Sequence, residues 1–171
     1  MKNSKRQIVS ELAKEIKYQS HNVAKIKNSL KLASKNGFDF NTKCNGGKTL
    51  LHYATIADVS GIIGFLIKLG VNPDICDDHY NTPLHMAVRM NRYQVVKELL
   101  KYSVDINALG EFDQTPLHLA VISGNLDIVQ LLISKNADIT LVDEKNYNPL
   151  DYAKDEKNEK IYNYLKSELE K

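Results

Sequence analysis

The stretch "FDQTPLHLAVISGNLDIVQLLISKNADI" (residues 112–139) decides the fold, because most of it is written more than once. At a spacing of 33 residues the chain also reads "HYNTPLHMAVRMNRYQVVKELLKYSVDI" (79–106), and before that "GGKTLLHYATIADVSGIIGFLIKLGVNP" (46–73). A phrase that returns at fixed spacing marks stacked structural units, each too small to bury its own apolar surface.

Superposed at 33, the copies show columns with separate physical jobs. Thr49, Thr82, Thr115 and Asn148 share one. Each is a good helix N-cap, because its side-chain oxygen can accept from an orphan N–H of the first turn. Leu50, Pro83, Pro116 and Pro149 follow, and proline is favoured at the first helical position. Leu51, Leu84, Leu117 and Leu150 form an apolar column. His52, His85, His118 and Asp151 stand where a polar side chain can reach back to the cap. Ala54, Ala87, Ala120 and Ala153 predict a helix surface that a neighbour approaches closely.

Asp58, Asn91 and Gly124 then predict a tight turn. A second helix is predicted from Leu126, Ile128, Val129, Leu131 and Leu132, and one copy earlier from Tyr93, Val95, Val96, Leu99 and Leu100. The stop column is Gly37, Gly70, Ser103 and Asn136. Gly and Asn accept the left-handed conformation that ends many helices, whereas Ser103 predicts a looser end. The unit is therefore helix, turn, helix and a projecting loop.

The phrases TLLHYA (49–54), TPLHMA (82–87), TPLHLA (115–120) and NPLDYA (148–153) resemble the ankyrin repeat, whose signature is a 33-residue unit carrying T-P-L-H-x-A. The resemblance covers about residues 41–171. It implies an all-α repeat solenoid with helical caps. The divisions it suggests are an N-terminal helical cap or degenerate repeat over 1–41, ankyrin repeats over 47–76, 80–109 and 113–142, and a degenerate capping repeat over 146–171. Three departures stand out. Leu50 replaces proline, the fourth copy lacks both Thr and His, and the glycine usual two residues before the Thr is kept only as Gly47. Tyr80, Asp113 and Asn146 replace it, and a tyrosine there must reshape its loop or carry strain.

Both ends read as caps. Ile8, Leu12 and Ile16 suggest one helical stripe, and Val23, Ile26, Leu30 and Ala33 another. The ending "NGFDFN" matches "YSVDIN" two periods later. A mobile basic arm is the alternative reading of this segment. At the other end Ile161, Tyr162, Tyr164 and Leu165 can pack inward while charged neighbours cover the outer face.

Composition narrows the function classes. Hydrophobic residues make up 43% of 171, enough for a core. The apolar run from Ile62 to Leu69 is broken by Gly64 and Lys68, far short of the roughly 20 residues a membrane helix needs. The first residues have cations without an apolar segment, so no secretory signal is expected. The expected compartment is cytoplasmic, with signal-less delivery into a host cell left open. Cys44 and Cys76 fall in inter-repeat connections and read as free thiols. Residues 1–48 carry a net charge of +8 and the remainder −6. That split keeps open a nucleic-acid or anionic-membrane surface on 1–48. A single arginine there, Arg6, argues against it, since such sites lean on arginine forks and aromatic stacking.

No catalytic, cofactor or metal motif is present, and enzyme activity is not expected. Successive helices pack about 8–10 Å apart, so His52, His85 and His118 cannot converge on one metal, which needs ligands within about 2.0–2.3 Å. His21 is expected in an inter-helix turn and His79 in a loop. Gly46-Gly47-Lys48-Thr49 echoes a phosphate loop but is explained as loop plus cap. The resemblance implies binding of another protein along a concave face of loop tips and first helices, by a chain expected to be monomeric. The positions that match that face, and that capping and core leave free, are Asp78, His79, Asn81, Arg89, Met90, Glu111, Phe112, Gln114, Ile122 and Ser123. Phe112 stands out as an aromatic on a loop, with packing against Tyr80 the competing reading. The chain reads as an adaptor or inhibitor, with a microbial effector acting on a host protein and a plain spacer as further readings.

Overall fold

The structure, a computed structural model, describes residues 2–171, with side chains described from Lys5 onward. It is built of helices, and no strand occurs among the described residues. In chain order they are α1 (Lys2–Tyr18), α2 (Val23–Lys35), α3 (Leu50–Ile56), α4 (Ser60–Lys68), α5 (Pro83–Arg89), α6 (Tyr93–Leu99), α7 (Pro116–Ile122), α8 (Leu126–Ile133), α9 (Pro149–Asp155) and α10 (Glu159–Leu169). The first helices α3, α5, α7 and α9 stack in one row, with α1 packed on α3. The second helices α2, α4, α6, α8 and α10 stack in another. This is a helical repeat solenoid.

The caps explain why each first helix starts where it does. The N–H of Thr49, Thr82 and Thr115 donates to Nδ1 of His52, His85 and His118 at 3.1, 3.2 and 3.1 Å. With Nδ1 accepting, the proton sits on Nε2. That nitrogen donates across to the next repeat, to the carbonyls of Asn81, Gln114 and Tyr147 at 3.1, 3.0 and 3.0 Å. One buried neutral imidazole therefore caps its own helix and ties down the following loop. In the fourth copy Asp151 closes the box with Asn148 at 3.0 Å without a bridge, and no repeat stacks beyond it among the described residues. Ala54, Ala87, Ala120 and Ala153 are fully buried where the first helices meet.

Turns follow the columns. Asp58, Asn91 and Gly124 are left-handed, with φ of 57°, 56° and 68°. At the stops, Gly37, Gly70 and Asn136 are left-handed too. There the N–H of Phe38, Val71 and Ala137 reaches back to the carbonyls of Ala33, Leu66 and Leu132. At Ser103 this closure is lost: the Val104 N–H bonds to Tyr102 instead, at 2.9 Å, and α6 stops at Leu99. Serine pays a Cβ clash in the left-handed region that glycine avoids. Ser103→Gly is expected to restore the closure and add about 1 kcal/mol, read as a rise of several degrees in melting temperature.

The ends pack. Ile161 and Leu165 are fully buried and Tyr162 and Tyr164 partly so. In α1 the buried face is Val9, Leu12, Ala13 and Ile16, and Ile8 is exposed, which corrects the stripe expected from Ile8. Tyr93 likewise lies at the surface of α6 rather than in its apolar face. The Asn41 side chain accepts from the Asn72 N–H at 2.8 Å, and Asp74 and Asn107 do the same for Asp105 and Asp138 at 2.9 Å. This polar ladder runs from the segment before the first T-P-L-H phrase to the end of the repeat over 113–142.

Candidate functional site

The loops before each first helix project as four fingers: 44–48, 77–81, 110–114 and 143–147. Each closes through a backbone bond between its ends, from Cys44 to Lys48, Asp77 to Asn81, Gly110 to Gln114 and Asp143 to Tyr147, at 2.9–3.0 Å. Their first residues divide them. Asp77 Oδ1 accepts from the N–H groups of His79 and Asn81 at 2.9 and 3.1 Å, and Asp143 does so from Lys145 and Tyr147. Fingers two and four are thereby held from inside, with one left-handed residue each, Tyr80 and Asn146. Cys44 and Gly110 offer no such acceptor. Fingers one and three instead carry two left-handed residues in a row, Gly46 and Gly47, then Phe112 and Asp113.

This difference sets how fingers join. The N–H of Asp78 donates to the Gly46 carbonyl at 3.1 Å, and that of Glu144 to the Phe112 carbonyl at 3.2 Å. Between fingers two and three no backbone bond occurs among the described residues. Side chains span that seam. Arg89, the last residue of α5, reaches Glu111 Oε2 at 3.4 Å and Asn81 Oδ1 at 3.3 Å, and His79 Nδ1 lies 3.4 Å from Glu111 Oε1. Beneath them is a depression of about 330 Å³ lined by Lys48, Asp77, His79, Asn81, Met86, Arg89, Met90 and Glu111. Burial pushes the Asp77 carboxyl up, but the N–H groups of His79 and Asn81 and the Lys48 ammonium, 3.5 Å away, hold it below the usual carboxylate range.

The structure brings five of the ten expected residues to this depression: His79, Asn81, Arg89, Met90 and Glu111. Asn81 must be corrected as a contact residue. It is 4% exposed, its N–H goes to Asp77, its carbonyl accepts from His52 and its amide oxygen holds Arg89. The chain turns inward after left-handed Tyr80, so Asn81 positions Arg89 instead of meeting a partner. Asp78 lies apart, in a depression with Arg6, Ser10 and Lys43. Gln114 is half-buried and donates from its amide to the Tyr152 hydroxyl at 3.2 Å. Ile122 and Ser123 sit one repeat on from Arg89 and Met90 at the end of α7, and the Ser123 hydroxyl donates to the Leu119 carbonyl at 2.7 Å.

Phe112 is 55% exposed and Tyr80 69%, and no ring pair forms between them. Leu109 and Val142, also half-exposed, were not singled out in the sequence. They share one column with Cys76, directly before the finger closes, and an apolar residue at a column just ahead of a loop was the available signal. Among the described residues no three of His, Cys, Asp and Glu stand close enough to hold a metal, and no helix is long and apolar enough to cross a membrane.

A family model described as ankyrin repeats (3 copies) matches residues 20–110, and a second, ankyrin repeats (many copies), matches residues 99–153. The matched region begins upstream of the first T-P-L-H phrase and takes in α2. No curated protein matches the chain. Such repeats are generally protein–protein interaction modules and typically non-enzymatic scaffolds. The phrases, the stacked helix pairs and the matched span together place the chain in the ankyrin repeat family.

Proposed function

We propose that this protein is a non-enzymatic adaptor or inhibitor that holds a partner protein against its fingers and first helices, centred on Arg89, Met90 and Phe112. The seam between fingers two and three carries this reading. It is the one finger junction bridged by exposed side chains rather than backbone among the described residues, and a half-exposed methionine lies beside it. The Arg89–Glu111 ion pair and the His79–Glu111 contact there are long, 3.4 Å, and partly solvent-exposed, so a partner can exchange them at little cost. Repeats over 47–76, 80–109 and 113–142 supply the binding units, with 1–41 and 146–171 as caps.

The test is affinity capture with the parent protein and with a variant carrying Arg89→Ala, Met90→Ala and Phe112→Ala. Circular dichroism and thermal melts establish that the variant is folded. The expected result is one stoichiometric partner held by the parent and lost by the variant. Equal capture by both would reject this face. A second reading rests on Arg6 and Lys43, which line a depression of about 410 Å³ with Ser10 and have no ion pair among the described residues. Binding of nucleic acid or an anionic membrane there would weaken steeply with salt, which an apolar-centred protein interface would not do.

A further inference from the structure

We infer that the tips of fingers two and three bind a basic, extended segment of the partner, with Tyr80 and Phe112 as its anchors; this rests on the protein-binding reading above. Both residues are left-handed, with φ of 61° and 62°. A bulky side chain there is an outlier, and Phe112 stands where a turn of this kind calls for glycine. Neither ring repays that strain by packing, since both project into solvent. They flank the seam, because Tyr80 follows His79, Phe112 follows Glu111, and the His79 and Glu111 side chains meet at 3.4 Å. Leu109 and Val142, directly before fingers three and four, are half-exposed as well.

Charge selects the occupant. Residues 49–171 carry a net −6. Asp113 adjoins Phe112 in sequence and Glu144 is bonded to it through the backbone. Both are exposed, and neither has an ion-pair partner among the described residues. The cation–ring contacts found are Lys17 on Tyr18 and Lys27 on Phe65, so among the described residues no cation covers Tyr80 or Phe112. Free aromatic faces beside free carboxylates are the surface that attracts lysine and arginine. An extended segment that alternates cations with aliphatic side chains offers charge to the carboxylates and apolar contact to the rings.

The probe is a fluorescein-labelled dodecapeptide of alternating arginine and leucine, with an alternating glutamate and leucine peptide as its counterpart. Binding is read by anisotropy. The decisive variant is Tyr80→Gly with Phe112→Gly, because glycine suits both backbone positions and the protein should fold at least as well. The expected result is arginine-peptide binding weakened about tenfold or more, together with a raised melting temperature. Asp113→Asn with Glu144→Gln should weaken it too. Equal binding of the arginine peptide by parent and double-glycine variant, or equal binding of the glutamate peptide by the parent, would overturn the inference. Arg89→Ala with Met90→Ala separates it from the broader reading. If that pair abolishes partner capture while the double-glycine variant retains it, the face stands and the fingertip anchors fall.

Discussion

Lowering the pH from 7 to 4 is expected to cost this protein several kcal/mol of stability through its buried imidazoles. Burial lowers His52 and His85 to about 4 from an ordinary 6.5, against the opposing effect of the carbonyls of Asn81 and Gln114, and lowers His118 in the same direction. The native state thus keeps these rings neutral where the unfolded chain takes up protons. Stability is fully present above about 6.5 and falls as pH drops toward the folded value near 4. Two shifts of this size correspond to about 3 kcal/mol each, a large share of a typical domain's stability. Asp77 and Asp143, held low in the fold, add their losses as the pH falls through the ordinary carboxylate range toward their depressed values. Urea unfolding at pH 7, 5.5 and 4.5 measures the slope. His85→Gln should start less stable and fall less steeply, and equal slopes would show that this imidazole is not the titrating group.

The second large effect is expected at Gly110, where φ is −101° and left-handed strain plays no part. A Cβ there would lie 2.8 Å from two atoms of the His85 ring and 2.9 Å from Asn81 Oδ1. The ring cannot yield, since both nitrogens are engaged, one with Thr82 and one with Gln114. Gly110→Ala should cost about 2–3 kcal/mol in urea unfolding through overpacking and loss of the bridge. Gly110→Asp would match the Asp77 and Asp143 column and still destabilise, because the space that an aspartate needs is filled by Asn81. A neutral Gly110→Ala would mean that finger three moves away from α5 freely.

What was legible in the sequence is what local chemistry decides. Caps, proline starts, left-handed turns and the looser end at Ser103 depend on residues within one turn of each other, and each is found where its column placed it. Three stripe positions in α1 could not separate a face on Ile8 from one on Val9, because both lie at helical spacing from Leu12 and Ile16, and packing on α3 chose Val9. The reach of His52 back to Thr49 could be read from spacing. Its second bond, 29 residues onward to Asn81, could not, because it depends on the height of the stack. For the same reason Asn81 looked available when it is enclosed, and Tyr80 posed a choice that its φ of 61° answers as strain.

The alternation of finger types has a consequence for how such a chain can lengthen or shorten. Histidine bridges and the polar ladder treat every 33-residue copy alike, so excision of one copy leaves each donor facing an equivalent acceptor. The fingers do not. Gly110 follows Cys44 by 66 positions, and Asp143 follows Asp77 by the same interval. Removing 80–112 would leave Asp113 in a finger that opens on Asp77, followed directly by one that opens on Asp143, and the backbone bond now made to Phe112 would have no left-handed counterpart to receive it. Counted by letters the module has 33 residues, but counted by its loop hydrogen bonds it has 66, so the heritable cassette that duplicates without a scar is a pair of repeats.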